Sequence, residues 1–204
     1  MLLQEFVVEK LENRRAAGRW KLLAVLAVCA SPMIASYFTY YVIKPGAKNN
    51  YGALIDPRQY PMPTLQLQDQ DGKVVELSSL KGKWLMLQID DASCADNCQR
   101  KLLEMRQLRL AQGKGMDRIE RVWLITDALP IAEQLKPGIA GTHLLRSDKS
   151  KLEKWLPTEN GTTLQDHIYV VDPLGNLMMR YPKDADPNKI KKDLIKLLKA
   201  SAIG

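Results

Sequence analysis

Two cysteines separated by three residues are the part of this sequence with the clearest chemical potential. Cys94 and Cys98 stand in the stretch SCADNC, directly after the mostly apolar run WLMLQID at residues 84–90. Two cysteines at this spacing can bind a soft metal ion, exchange with another disulfide, or remain two buried thiols without a chemical role. The spacing alone leaves all three interpretations open.

The position of the pair in the predicted secondary structure favours chemistry over packing. The run at 84–90 predicts a buried strand, and apolar residues at helical spacing, with basic residues on the other faces, predict an amphipathic helix from Cys98 to about residue 111. At the start of a helix, the free backbone N–H groups and the dipole favour a thiolate. Nearby carboxylates oppose that effect but would attract a bound cation: Asp90, Asp91 and Asp96.

The rest of the C-terminal region alternates between strand and helix patterns. Strands are predicted at 64–77 (a hairpin around Asp71-Gly72), 84–90, 119–127, 142–147 and 166–182 (a second hairpin), and helices at 98–111, 129–138, 147–156 and 186–201. Strand–helix–strand order predicts parallel pairing, and the second hairpin adds antiparallel pairing. The sequence therefore predicts an α/β fold with a mixed sheet flanked by helices on both faces.

An apolar segment near the N-terminus predicts a membrane anchor. Residues 22–43 carry no charged side chain, and as a helix they would span about 33 Å, enough to cross a bilayer core. The alternative is a cleaved signal peptide, but the apolar run is longer than is usual for one. Basic residues are more frequent before the span (Lys10, Arg14, Arg15, Arg19 and Lys21) than after it (Lys44 and Lys48), which predicts a cytoplasmic N-terminus.

The chain is predicted to have four parts. They are a cytoplasmic segment at 1–21, a transmembrane helix at 22–43, a linker rich in Pro, Gly and Asn at 44–63, and a globular domain at 64–204. The domain is expected in a bacterial periplasm, which permits disulfides. The net charge of +7 is dispersed among 30 basic and 23 acidic residues, so no nucleic-acid partner is expected.

The sequence resembles the SCO/SenC family over about residues 60–200. The similarity lies in GKWLMLQIDDASCADNCQRKLLEMRQLR, RVWLITD and DHIYVVDPLGNLMMRYP, and in the single N-terminal anchor. The resemblance implies a thioredoxin-like fold and a copper site at Cys94 and Cys98, whose soft thiolates suit Cu(I). It also implies a role in assembling the copper centre of cytochrome c oxidase, with an oxidase subunit or another assembly factor as partner.

The resemblance implies a histidine as third copper ligand, and here the sequence departs from the family. The family position falls on Leu164, so the nearest candidate is His167, which a regular strand would direct to the other face. A bulge or an irregular loop could bring His167 back, and His143 is a weaker candidate. The family prolines that follow the two cysteines are replaced by Ala95 and Gln99.

Two other functions stay open. One is a general thiol–disulfide oxidoreductase, although thioredoxins have two residues between their cysteines and a cis-proline immediately before the strand that corresponds to 166–172. The other is a docking protein that keeps the fold without the metal site. In that case His167 would be a histidine hydrogen-bonded at the start of its strand.

Overall fold

The computed structural model describes residues 2–43, 50–201 and 203, with side chains described from residue 19 onward except at residue 43. The chain divides into two compact units, Met1–Lys48 and Asn49–Gly204. The side chains of Lys10, Arg14 and Arg15 and the whole of residues 44–49, with Lys44 and Lys48, lie outside the described part. The predicted charge bias around the span therefore stays a statement about the sequence.

Residues 2–43, the described part of the N-terminal unit, are helical. Helix α1 runs over Leu2–Phe38 and is followed by one wider π-helical turn at Thr39–Ile43. Its segment Arg19–Val42, with a mean hydropathy of 1.9, is the one helix in the described part of the chain that is long and apolar enough to cross a membrane. The prediction of a single N-terminal candidate transmembrane helix is confirmed.

The proline inside α1 is accommodated by a neighbouring hydroxyl. Pro32 has no N–H to bond the carbonyl of Val28, four residues earlier. The hydroxyl of Ser31 donates to that carbonyl at 2.9 Å instead. An apolar solvent supplies no substitute donor, so this local bond is what a proline in a membrane helix requires.

Eight strands form one mixed sheet in the second unit. They are β1 (Ala53–Leu54), β2 (Gln66–Gln68), β3 (Val74–Glu76), β4 (Trp84–Asp90), β5 (Ile119–Ile125), β6 (Thr142–Arg146), β7 (Ile168–Val171) and β8 (Leu177–Arg180). Their order is β1-β8-β7-β4-β5-β6-β2-β3, with β4, β5 and β6 mutually parallel and the other pairs antiparallel. The predicted mixed sheet and both predicted hairpins are confirmed.

Four helices accompany the sheet: α2 (Asp96–Leu110), α3 (Lys136–Ile139), α4 (Lys149–Trp155) and α5 (Pro187–Ala200). Two of them begin at side-chain caps. Asp148 accepts from the N–H of Ser150 at 2.8 Å, and Asp186 accepts from the N–H of Asn188 at 2.9 Å.

The two faces of the sheet bury separate apolar clusters, because successive strand residues point to opposite sides. The first face packs against α2 and α5 and includes Met86, Trp123 and Ile125. The second face packs against α4 and includes Leu87 and Tyr169. Helices on both faces are what the strand–helix order predicts.

Residues 50–63, predicted as linker, are joined to the sheet. Strand β1 pairs with β8, and Pro61 forms an isolated bridge with Asn176. The N–H groups of Tyr51 and Gly52 donate to the buried carboxylate of Asp193 on α5, at 2.7 and 2.9 Å. The composition of this segment indicated a loop, and these long-range bonds hold that loop against the domain.

Candidate functional site

The two cysteines lie where the central strand β4 gives way to α2. Cys94 precedes the helix, Cys98 lies in its first turn, and the two form a disulfide with their Cα atoms 5.0 Å apart. The turn between strand and sulfur is tied to the next strand, because Asp127 accepts from the N–H of Ala92 at 3.0 Å. In the structure the two cysteines are therefore oxidised to a disulfide and are not two free thiols.

Cys94 adopts a backbone conformation that is uncommon for its residue type. Its φ is +42°, in the left-handed region that costs a non-glycine residue of order 1 kcal/mol. Two bonds hold it there: its N–H donates to the carbonyl of Asp91 at 3.1 Å, and its carbonyl accepts from the Gln99 side chain at 2.9 Å. The side chain of Gln99 therefore fixes the turn by a hydrogen bond.

The sulfurs are covered completely. Cys94 is 0% exposed and Cys98 1% exposed, in a cluster with Trp123 and Ile125 of β5. The connection between β5 and β6, residues 129–139, covers the pair, and we call it the strap. Its apolar residues belong to the same cluster: Ile131, Ala132, Leu135 and Ile139. Because neither cysteine is exposed, a client thiol or a metal ion can reach the sulfurs only if a neighbouring segment of this cluster moves.

The strap is fastened more firmly at its ends than in its middle. Next to its start, Arg146 donates to the carbonyls of Asp127 and Leu129 at 2.5 and 2.8 Å. Just beyond its end, the buried Arg121 donates to the carbonyl of Ala140 at 2.6 Å. Between these ends, exposed Arg106 donates to the carbonyl of Pro137 over a long distance of 3.4 Å.

A buried lysine lies one helical turn after Cys98, contrary to the expectation that the basic residues of α2 are solvated. Lys101 is 6% exposed, and its ammonium donates to the carbonyl of Gln165 and lies 3.9 Å from a carboxylate oxygen of Asp90. Burial lowers the pKa of Lys101 and raises the pKa of Asp90, although each charge partly offsets the shift of the other. The two partners explain why this lysine is buried.

Other polar groups surround the same junction. The buried side chain of Gln88 donates to the carbonyl of Cys98 at 3.1 Å. Asp91 accepts from the hydroxyl of Thr126 at 2.5 Å and from the amide of Gln165 at 3.5 Å. Sequence reasoning missed Gln88 and Lys101 as parts of the site. A lone polar residue inside the apolar run WLMLQID was the available signal for Gln88.

In the structure both ring nitrogens of His167 contact groups other than the cysteines. Its Nδ1 lies 2.8 Å from the carbonyl of Tyr181, and its Nε2 lies 2.7 Å from the hydroxyl of Thr162. Its ring is 5.9 Å from that of Tyr169, which belongs to the core cluster on the opposite face of the sheet from the disulfide. Burial lowers the pKa of His167.

The neutral imidazole fits these contacts. A carbonyl only accepts, so Nδ1 carries the hydrogen. In the neutral ring Nε2 can only accept, which requires the single hydrogen of the Thr162 hydroxyl to turn from the carbonyl of Glu159, at 2.8 Å, to Nε2. Both ring nitrogens are then engaged within the fold. A role for His167 as copper ligand stays a prediction, and it requires the ring to leave at least one of these partners.

His143, the weaker ligand candidate, belongs to no metal-binding cluster among the described residues. His143 lies on β6, where its Nε2 is 3.4 Å from a carboxylate oxygen of Glu120. Among the described residues, no group of three or more His, Cys, Asp or Glu side chains is arranged to hold a metal ion. Once reduced, Cys94 and Cys98 would offer two soft sulfur donors, which fits two-coordinate Cu(I) and lacks the nitrogen donor that Cu(II) prefers.

The sheet, its flanking helices and a disulfide at the β4–α2 junction define a thioredoxin-like protein. Residues 84–201 match the family described as "Transmembrane-like, thioredoxin-like, C-terminal domain", and residues 12–42 match the family of the corresponding "Transmembrane-like, N-terminal domain". The first match covers more than half of the chain. The chain therefore belongs to this thioredoxin-like family, and the N-terminal match supports membrane anchoring.

One curated relative of the chain has a name that refers to copper. A protein of Stutzerimonas stutzeri whose name describes it as copper-binding is 30% identical over 90 residues, 44% of this chain and 41% of that protein. The chain thus matches about two fifths of the length of that curated relative. The match therefore leaves the activity of the whole protein to be proposed.

Two solved structures show the same fold. The crystal structure of yeast Sco1 with copper bound has a TM-score of 0.55 at 16% identity, covering 69% of this chain and 94% of that one. The thioredoxin domain of a thiol-disulfide oxidoreductase from Bacteroides vulgatus has a TM-score of 0.50 at 19% identity, covering 72% and 99%. The predicted resemblance to SCO/SenC proteins is confirmed in the fold, which copper-binding and oxidoreductase relatives share.

Proposed function

We propose that the protein is a membrane-anchored copper and thiol-redox factor that assists assembly of the copper centre of a respiratory oxidase. The disulfide between Cys94 and Cys98 at the strand-to-helix junction is the observation that carries this proposal. The SCO-like fold and the copper-binding name of the Stutzerimonas stutzeri protein support it. Copper would be a cargo ion, held by the two sulfurs after the Cys94–Cys98 disulfide has been reduced.

The redox step we propose is an exchange of disulfides. The thiolate of one reduced cysteine attacks a client disulfide, the client S–S bond breaks, and one client sulfur leaves as a thiolate. The second cysteine then attacks the mixed disulfide, which releases the second client thiol and restores the Cys94–Cys98 bond. Two electrons pass from the pair to the client, whose cysteines are then free to take Cu(I).

The test is Cu(I) binding to the full chain in detergent micelles, measured against a chromophoric chelator. The reduced chain should take up one equivalent, and the oxidised chain none, because a disulfide has no thiolate to offer. Cys94→Ala should abolish this uptake. Cys29, the free cysteine in the apolar span, provides the matched control, and Cys29→Ala should leave uptake unchanged. No uptake by the fully reduced chain would remove copper from the proposal.

A second candidate function is thiol–disulfide exchange without copper. The buried ammonium of Lys101, one turn from Cys98, would repel a metal cation and stabilise a thiolate, and both nitrogens of His167 are engaged elsewhere. Under this alternative, the reduced chain would bind no copper, yet the Cys94–Cys98 pair would equilibrate with a glutathione buffer. Cu(I) uptake by the reduced chain, one equivalent or none, distinguishes the two functions, and quantitative alkylation of the pair in the glutathione buffer then tests whether a chain without copper uptake still exchanges disulfides.

The location that we propose follows the charge bias of the sequence. The N-terminus would lie in the cytoplasm, residues 22–43 would cross the inner membrane, and the domain at 64–204 would lie in the periplasm. A periplasm would supply the oxidising conditions that keep the disulfide formed. A phosphatase fused after residue 204 should be active, since the enzyme requires export, and an inactive fusion would reverse the orientation.

A further inference from the structure

A cleft lies along the outer edge of β6. It has a volume of about 470 Å³ and is lined by β6, by the hairpin of β2 and β3, and by part of the strap. Two strap residues connect it to the redox site, since Ile131 and Ile139 line the cleft and also belong to the apolar cluster around the disulfide. The cleft and the disulfide therefore share the strap as a wall.

The edge of β6 that faces the cleft carries backbone groups without a strand partner. β2 pairs with β6 only at Arg146 and then turns away into its hairpin. The N–H of Ser147 donates to Ile125 of β5 at 2.9 Å, and the alternation of a parallel ladder then directs the N–H and C=O of Thr142 and Leu144 away from β5. Among the described residues, no strand pairs with that side of either residue.

The walls of the cleft are apolar on both sides of the sheet. Ile131 packs with Leu144 in the cluster on the disulfide face, whereas Val75 packs against the cluster on the opposite face. Alternate side chains of a strand placed against β6 would therefore meet apolar groups on both faces. The hydroxyl of Thr142 is buried in this wall without a hydrogen-bond partner, so the wall also holds an unused polar group.

The hairpin gives one end of the cleft a negative charge. Asp69 and the exposed Asp71 line it, and the Asp69 carboxylate accepts from backbone N–H groups of the hairpin turn. A cationic side chain of a bound segment would be attracted to these two carboxylates. The cleft thus combines free main-chain groups, apolar walls and an acidic end.

We propose that this cleft binds an extended segment of a partner polypeptide as an added strand on β6. The segment has β-forming apolar side chains and a lysine or arginine beside Asp69 and Asp71. Main-chain bonds to Thr142 and Leu144 provide affinity, and the apolar walls select the side chains. This docking site goes beyond the proposed function, because binding does not need the sulfurs of Cys94 and Cys98.

The test uses fluorescein-labelled peptides in which short runs of Val, Ile, Thr and Tyr are flanked by lysine, titrated by anisotropy into the full chain in detergent micelles. The tightest binder is then remade with N-methyl groups at every second residue, in the two complementary registers. One register should lose about tenfold or more in affinity, because its donors facing β6 are blocked, while the other should keep its affinity. Equal affinity in both registers, or no saturable binding by any peptide, would overturn the proposal.

Two variants tie the binding to this cleft. Asp71→Lys should weaken binding severalfold, whereas Asp117→Lys, at another exposed carboxylate, should not. Equal effects of the two would mean that charge alone attracts the peptide, and the docking site would be wrong. The double variant Cys94→Ser, Cys98→Ser should bind the peptide unchanged. This result separates the docking site from the proposed redox function, which that variant abolishes.

Discussion

The disulfide and the imidazole of His167 are both shielded from solvent, but different interactions shield them. Apolar side chains of the strap cover the sulfurs of Cys94 and Cys98. The imidazole is held by directional bonds, from Nδ1 to the carbonyl of Tyr181 and between Nε2 and the hydroxyl of Thr162. The disulfide is thus shielded by apolar contact without a preferred geometry, whereas the imidazole is shielded by hydrogen bonds to two specific partners.

This difference indicates which group can change its environment. Apolar contact has no preferred geometry, and a short segment fastened mainly at its ends can lift locally without breaking a ladder of hydrogen bonds. Releasing His167 would leave a buried carbonyl without its donor, which costs about 1–3 kcal/mol. We therefore expect the sulfurs to become accessible by strap motion while His167 stays in place.

The largest expected effect comes from removing the imidazole. His167→Ala should lower the free energy of unfolding by about 3 kcal/mol, because a cavity forms and two polar partners lose their bonds. Urea denaturation followed by tryptophan fluorescence measures this loss. His143→Ala, at a half-exposed histidine, is the control and should cost about 0.5 kcal/mol or less. Equal losses would remove the contrast between the two regions.

The next effect concerns the strap. Leu135 is buried against the disulfide cluster, and Leu135→Ala should weaken strap closure by about 2 kcal/mol, which makes reduction by dithiothreitol about thirtyfold faster. Leu110→Ala, at an exposed leucine, should leave the rate unchanged. The urea dependence of the logarithm of the reduction rate is the check. If it is as steep as the urea dependence of global unfolding, the disulfide is exposed only by global unfolding and the strap does not open by itself.

The sequence predicted those parts of the site that depend on local signals. The buried strand at 84–90 and the helix near Cys98 each follow from neighbouring residues, and the structure confirms them. The strap could not be predicted as a cover, because its 3-10 turn and its four-residue helix α3 have little periodicity of their own. Only the tertiary packing places them over the sulfurs.

The same limit applies to single residues with distant partners. Lys101 follows the pattern of a surface position, and its burial depends on Asp90 and on the carbonyl of Gln165, far away in the sequence. The bonds of His167 to Tyr181 and Thr162 could not be predicted either. The sequence left open whether His167 is a metal ligand or a hydrogen-bonded histidine. Only the three-dimensional structure shows which groups the imidazole contacts.

A smaller effect should appear as a pH dependence of stability. Burial holds the pKa of His167 below its ordinary 6.5, so the unfolded chain takes up a proton at a higher pH than the folded chain. The unfolded state therefore binds more protons just below pH 6.5, and stability should fall as the pH falls from 7 towards 5. His167→Gln should reduce that slope, as measured by urea midpoints at both pH values. An unchanged slope would mean that the imidazole protonates as easily in the fold.

The smallest expected effect separates the middle of the strap from its ends. Arg106 is exposed and contacts the strap at 3.4 Å, so Arg106→Gln should change the rate of disulfide reduction by less than about twofold. Arg121 is buried and donates at 2.6 Å to the carbonyl of Ala140, so Arg121→Gln should accelerate reduction by about tenfold, since that carbonyl loses a charged donor. Equal rates for the two variants would show that apolar contact alone holds the strap, and the ends would then be no firmer than the middle.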